Sequence, residues 1–262
     1  MKKDNYNTGI ALSGGGARGF AHVGVLKAFN EEGIFPDVVS GTSAGAIVGA
    51  LYSDGYKPDE MMTILSSRHW FSYIRPSVSK TGLLSISGIE KILKENLRAK
   101  TFEELKIKLF VTATDFNHGQ TVYFSKGELL TKVIASASIP VIFKPVIIDD
   151  ITYVDGGVLD NLPVYPLENK CRVILGSYVN PTGYEKNFNN LIKMAERTFL
   201  VNLSREVFNK AFKFDLLIAP PELKNYPVLD PEKSEEAFKI GYESTKELLA
   251  TEEIRNKILF KK

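Results

Sequence analysis

Two short apolar runs near the start of the chain are each followed by a glycine-containing turn and then by an apolar helical pattern. The first reads TGIALS, GGGARG and FAHVGVLKAF from residue 8, and the second reads DVVS, GTSAG and AIVGALYS from residue 37. Such runs predict buried strands, and the short connections place the helices on the faces of a parallel sheet. The sequence therefore predicts an α/β fold with a mainly parallel central sheet.

A single domain accounts for the length of the chain. The 262 residues are 44% apolar and 24% charged, which is ordinary for a globular protein. No repeat, low-complexity tract or linker interrupts them, and helical patterns cover 187–213 and 232–260. We expect residues 1–262 to form one domain whose C-terminal part, 181–262, is mainly helical.

Charge and cysteine content narrow the class of protein. The net charge is +2, so no strong field toward nucleic acid is expected. The single cysteine, Cys171, excludes a disulfide within the chain and fits a reducing compartment. The N-terminal stretch MKKDNYNTGIAL lacks the apolar segment of a signal peptide, and no apolar run is long enough to span a bilayer. We therefore expect a cytoplasmic protein.

The glycine run after the first strand has two interpretations. Its glycines at 14, 16 and 19 match the G-x-G-x-x-G pattern of dinucleotide sites. Such sites need an acid at the end of the second strand, whereas Asp37 stands at its beginning, and Arg18 is large for this turn. The other interpretation is an oxyanion cradle, in which amides of Gly15, Gly16 and Ala17 or Arg18 point at one atom.

The second turn, Gly41-Thr42-Ser43-Ala44-Gly45, has the G-x-S-x-G pattern of a nucleophile elbow. Such a turn between a strand and a helix exposes the serine hydroxyl above the sheet. The small residues that follow allow the helix to pack close to the turn. The sequence predicts Ser43 as a nucleophile, and a tight turn with an incidental serine is the alternative.

A base for Ser43 is not found among the histidines. The chain has three histidines, His22, His69 and His118. In an α/β-hydrolase the histidine comes last, after the serine and the acid, and no histidine lies beyond 118 in this chain. Asp155 stands at the end of the apolar run ITYVD, and Gly156 and Gly157 follow it. We expect Asp155 to accept the proton of Ser43, although its carboxylate could equally cap the next turn.

Four ordered blocks together resemble the patatin family of lipid acyl hydrolases in its compact bacterial form. They are GGGARG at 14–19, GTSAG at 41–45, ASASIP at 135–140 and DGG at 155–157. The chain departs from the family at Ile134, where an arginine is frequent, and at Val141, where a glycine is frequent.

The resemblance implies a three-layer α/β/α sandwich and a set of site residues. Ser43 would be the nucleophile and Asp155 the general base, and no metal or other cofactor would take part. The residues implied at the oxyanion hole are Gly14, Gly15, Gly16, Ala17, Arg18 and Ala44.

The expected substrate is an acyl ester of a phospholipid or lysophospholipid. Trp70 and Phe71, in an aromatic segment, are candidates for contact with the acyl chain. A lipid substrate implies transient contact with a membrane surface, and the sequence indicates no oligomeric state. An acyltransferase of the same fold and a binding module without catalysis are the alternatives, beside the dinucleotide or phosphate-binding interpretation above.

Overall fold

The computed structural model describes residues 6–66, 82–84, 86–188, 191–228 and 231–259. The strands in this part of the chain are β1 (Tyr6–Leu12), β2 (Val38–Thr42), β3 (Gly82–Leu84), β4 (Lys108–Asp115), β5 (Gln120–Phe124), β6 (Val141–Phe143), β7 (Val146–Ile148), β8 (Ile151–Asp155), β9 (Cys171–Ser177) and β10 (Leu216–Ile218). The helices are α1 (Phe20–Glu31), α2 (Ala44–Ser53), α3 (Pro58–Leu65), α4 (Ser87–Asn96), α5 (Leu130–Ser136), α6 (Leu191–Phe208), α7 (Ser234–Leu249) and α8 (Glu252–Leu259).

Eight of the strands form one mixed sheet in the order β10-β9-β1-β2-β4-β8-β7, with β5 also paired to β4. The five strands from β10 to β4 are parallel, and β5, β7 and β8 join them by antiparallel pairing. The prediction of an α/β fold with a mainly parallel central sheet is confirmed. The short parallel pair β3 and β6 was not predicted.

Successive side chains of the central strands enter two different cores. Ile10 and Leu12 of β1 belong to the larger core, and Ala11 between them belongs to the second. Helices α1 and α2 supply much of the larger core, whereas the segment after β8 and the end of α6 cover the opposite face. Because the sheet is buried on both faces, its strands are continuously apolar and the molecule has three layers.

Strand β4 brings the ends of two other strands together. Strand β2 runs parallel to β4 up to the pair Thr42 with Thr112, and β8 runs antiparallel up to the pair Asp155 with Ala113. Since β5 occupies the other edge of β4 over the same residues, β2 and β8 share one edge and meet end to end. The residue after Thr42 and the last residue of β8 therefore lie close together. Both stand beside the peptide that joins Thr112 to Ala113 of β4.

The C-terminal part of the chain packs into the same sheet and helical layer. Strand β10 extends the sheet beyond β9, and α7 lies along α1. The two helices approach closely: a Cβ added to Gly241 would lie 2.1 Å from the Ala21 carbonyl oxygen. The predicted helix over 187–213 spans Leu191–Phe208, and the predicted helix over 232–260 is divided into α7 and α8. That residues 1–262 form one domain stays a prediction.

Candidate active site

Ser43 occupies a strained turn between β2 and α2. Its φ of 53° and ψ of −119° are rare for a residue with a side chain, which is typical of positions held by their surroundings. The flanking glycines are needed because backbone passes close to both. A Cβ would lie 2.2 Å from the Leu12 oxygen at Gly45 and 2.5 Å from the Gly45 oxygen at Gly41. Gly45 is therefore required where the turn packs against β1, and Gly41 is required where the turn folds back on its own backbone.

Asp155 ends β8 and is completely buried. Burial raises the pKa of its carboxyl to about 7, and hydrogen bonds from the Ser43 hydroxyl and the Gly157 amide lower the pKa only in part. The Gly157 amide donates to Oδ1 at 2.7 Å, so one oxygen does cap the following turn. The other oxygen, Oδ2, has no well-aligned partner in the described part of the chain. A carboxylate that is a cap on one side is thus open to Ser43 on the other.

The ASASIP block at 135–140 makes hydrogen bonds to the backbone of both Ser43 and Asp155, a role that its sequence did not indicate. The Ser43 amide donates to the Ser136 hydroxyl at 2.9 Å, and that hydroxyl donates to the Thr112 carbonyl at 2.6 Å. The Asp155 amide donates to the Ser138 carbonyl at 2.9 Å. The available signal in the sequence was two serines at the end of an apolar helix, because small polar residues fit where a helix ends against a turn.

The glycine run passes directly beside Ser43. A Cβ on Gly14 would lie 3.2 Å from the Ser43 Cβ, and a Cβ on Gly19 would lie 2.6 Å from the Ala44 Cβ. The chain therefore approaches the turn at a distance that only glycine allows.

Of the six residues expected to frame the oxyanion hole, three have backbone amides that already donate to carbonyl groups. Those of Gly14, Ala17 and Arg18 donate to the carbonyls of Asn161, Val228 and Gly15, respectively. The amides of Gly15, Gly16 and Ala44 donate to no other residue that the structure describes. The oxyanion hole stays a prediction, and within the predicted set the residues with open amides are Gly15, Gly16 and Ala44.

The two side chains that count against the dinucleotide interpretation, Arg18 and Asp37, have other partners in the structure. Arg18 is buried, and its Nε donates to the Tyr226 carbonyl at 2.6 Å. The Asp37 carboxylate accepts hydrogen bonds from the amides of Asn7 and Thr8, at the end of the strands remote from the glycine run. Asp37 is therefore not placed to bind a ribose beside the glycines.

Neither described histidine can serve Ser43. His22 is buried, with Nε2 at 2.8 Å from the Ser13 carbonyl and Nδ1 at 2.7 Å from the Ser177 hydroxyl. Since a carbonyl only accepts, Nε2 carries the proton and Nδ1 accepts from Ser177. His118 is exposed at the β4–β5 turn, where its Nδ1 pairs with Asp115. Both rings are committed to other partners.

Some predictions concern residues that the structure does not describe. Trp70 and Phe71, the candidates for acyl-chain contact, lie outside the described ranges, as does His69. Within those ranges, no group of three or more His, Cys, Asp or Glu side chains could hold a metal ion. The helices in the same ranges include none with the length and apolar character needed to cross a bilayer.

A family model described as patatin-like phospholipase matches residues 10–168. An uncharacterised NTE family protein of Mycobacterium tuberculosis is 35% identical over 161 residues, which are 60% of this chain and 44% of that protein. Lysophospholipase NTE1 of Kluyveromyces lactis is 26% identical over 89% of this chain and 18% of its own length. The chain thus spans less than half the length of these relatives.

Among solved structures, VipD from Legionella pneumophila superposes with a TM-score of 0.53 at 16% sequence identity. The superposition covers 94% of this chain and 67% of VipD. At this identity the likeness concerns the fold alone, and it extends over the C-terminal part that the family model does not match.

Proposed function

The chain belongs to the patatin-like phospholipase family, and we propose on that premise that it hydrolyses acyl esters of lipids through an acyl-Ser43 intermediate. The observation that carries this proposal is the buried Asp155 carboxyl beside the Ser43 hydroxyl, with its pKa raised to about 7. An aspartate with an ordinary pKa would be a weak base for a serine, and burial makes this one stronger.

The proposed mechanism uses the two side chains and the glycine run. The Ser43 oxygen attacks the ester carbonyl while Asp155 accepts the hydroxyl proton. The free amides at the glycine run and the start of α2 stabilise the negative oxygen of the tetrahedral intermediate. Asp155 then gives the proton to the leaving alcohol. Water attacks the acyl-enzyme with Asp155 again as base, which releases the fatty acid and restores Ser43.

A lysophospholipid or phospholipid is the substrate that we propose. A cavity of about 180 Å³ lies next to the turn that carries Arg18, and its lining includes Lys193, Arg197 and Lys224 beside the acidic Glu185. This excess of positive charge suits an anionic phosphate head group. The name of the yeast relative, a lysophospholipase, supports the same substrate class.

The proposal is tested with a fluorophosphonate probe and a short-chain aryl ester. We expect Ser43→Ala to abolish labelling, and Ser43→Ala and Asp155→Asn each to lower kcat by about 10⁴-fold or more. Ser53→Ala, which removes another buried serine hydroxyl at the end of α2, is the matched control and should retain activity. Hydrolysis by Ser43→Ala at the wild-type rate would contradict the proposal.

Two further arms of the same experiment address the substrate and the acceptor. A lysophospholipid should have a higher kcat/KM than a monoacylglycerol with the same acyl chain, because only the former carries a phosphate for the basic cavity. Release of free fatty acid without any alcohol acceptor distinguishes hydrolysis from an obligatory acyl transfer, which is the alternative.

A further inference from the structure

We propose that Asn180 is a positioning residue that sets the direction of the Gly15 amide in the oxyanion hole. The proposal rests on the proposed function and adds to it a residue beyond 168, where the family match ends. Asn180 follows β9 and is completely buried. It contacts the glycine run from a segment of the chain that lies outside the four sequence blocks.

The side chain of Asn180 makes a single hydrogen bond in the described part of the molecule. Its Nδ2 donates to the Gly14 carbonyl at 2.7 Å, and its Oδ1 has no partner there. Because a carbonyl only accepts, the nitrogen must face Gly14 and the orientation of the amide group is fixed. Burying an amide group whose oxygen has no partner costs free energy. The hydrogen bond to Gly14 is therefore the interaction through which this side chain acts on the glycine run.

That bond determines where the next amide points. The Gly14 carbonyl and the Gly15 N–H belong to one trans peptide, in which they lie on opposite sides. The Ser13 hydroxyl donates to the same carbonyl at 2.9 Å, so two donors hold it. The Gly15 N–H is thereby directed away from Asn180 and Ser13. It is one of the amides that donate to no described residue.

The preceding peptide is anchored in the same manner. Nε2 of His22 binds the Ser13 carbonyl, and the Gly14 N–H on the other side of that peptide donates to the Asn161 carbonyl at 3.1 Å. Of these two peptides, only the one between Gly14 and Gly15 combines a hydrogen-bonded carbonyl with an N–H that has no described partner. A glycine without these anchors could rotate, since it populates many backbone conformations.

Space around Gly15 confirms how closely Asn180 fits. A Cβ on Gly15 would lie 3.1 Å from Oδ1 of Asn180 and 2.4 Å from a methyl group of Val179. The side chain therefore packs against the peptide that it holds, and truncating it releases both the hydrogen bond and the contact.

The test compares Asn180→Ala with wild type on a short-chain aryl ester and on its thionoester, in which sulfur replaces the carbonyl oxygen. Sulfur accepts hydrogen bonds weakly, so an intact oxyanion hole favours the oxygen ester. We expect Asn180→Ala to lower kcat on the ester by about ten- to a hundredfold with little change in KM, and to reduce the ester-to-thionoester ratio of kcat/KM. Thr245→Val removes another buried side-chain donor to a carbonyl, in α7, and should leave this ratio unchanged.

The ratio separates positioning from a loss of folded protein, which lowers both rates equally. A wild-type ratio in Asn180→Ala, with or without a lower rate, overturns the proposal. If Asn180→Ala does not fold, Asn180→Asp keeps the side-chain volume and replaces the donor by an acceptor, and the same ratio decides. Activity that survives Ser43→Ala would instead overturn the proposed function, so the two failures are distinguishable.

Discussion

At the scale of single residues, the proposed mechanism depends on a carboxyl group that folding makes more basic. The elevated pKa of Asp155 comes first from the complete burial of its carboxyl group. The hydrogen bonds from Ser43 and Gly157 oppose this effect without cancelling it. The sequence suggested the residue, but its protonation behaviour depends on the strands and helix that cover it.

The proposed ester hydrolysis should become faster as pH rises through an apparent pKa near 7. In the proposed mechanism only the ionised form of Asp155 accepts the Ser43 proton, and its pKa is raised to about 7. The measurement is kcat/KM for a soluble ester against pH, which reports the free enzyme. Asp155→Asn should lose this rising limb together with most of the activity. A rising limb near pH 4 would show that the base has an ordinary carboxyl pKa.

At the scale of elements, close helix contacts through glycine connect the N-terminal and C-terminal parts of the chain. The α1–α7 contact has one glycine on each helix at the crossing: Gly24 approaches the Phe238 carbonyl, and Gly241 approaches the Ala21 carbonyl. The 3.6-residue pattern predicted both helices. It did not show which of their faces would meet, because periodicity contains no information about the partner.

Gly241→Ala should destabilise the protein by about 1–3 kcal/mol. In an isolated helix this substitution would stabilise by up to about 1 kcal/mol, so the expected sign is set by packing. The new Cβ would lie 2.1 Å from the Ala21 carbonyl oxygen, which belongs to backbone and cannot rotate away. Urea unfolding measures the effect, with the exposed Glu247→Ala on α7 as control. A Gly241→Ala variant more stable than wild type would contradict the observed packing.

At the scale of the whole molecule, two buried titratable groups give opposite contributions to stability. Between pH 3.8 and about 7, native Asp155 holds a proton that the unfolded chain has lost, so its contribution falls as pH rises. Burial lowers the pKa of His22 from 6.5 to about 4. Between about pH 4 and pH 6.5 the unfolded chain therefore holds a proton that native His22 lacks. The contribution of His22 to stability grows as pH rises through this range.

Removing either group should reveal its own contribution as a pH-dependent difference from wild type. For Asp155→Asn, the free energy of unfolding should increase from about pH 4 to about pH 7 relative to wild type, by about 4 kcal/mol for a shift of three pH units. For His22→Gln the difference from wild type should have the opposite slope. Denaturant unfolding at several pH values measures both, and parallel curves for Asp155→Asn and wild type would contradict the elevated pKa.

The sequence by itself determined the two βα units, the elbow and the glycine run, because glycine and apolar patterns act locally along the chain. It also suggested Asp155 and excluded the histidines of the usual hydrolase order. Only the tertiary structure decided that β8 runs antiparallel and meets β2 end to end at Thr112 and Ala113 of β4. That meeting brings Ser43 and Asp155 together across 112 residues of sequence.

The division among the glycine-run amides was also decided by tertiary structure. Their partners, Asn161 and Val228, lie far along the chain, and so does Asn180, which holds the Gly14 carbonyl. A local pattern shows which backbone amides belong to glycines and are therefore not covered by a side chain of their own. Whether each amide is used by a distant carbonyl or left open depends on how separate segments pack, and that information is not contained in the spacing of residues.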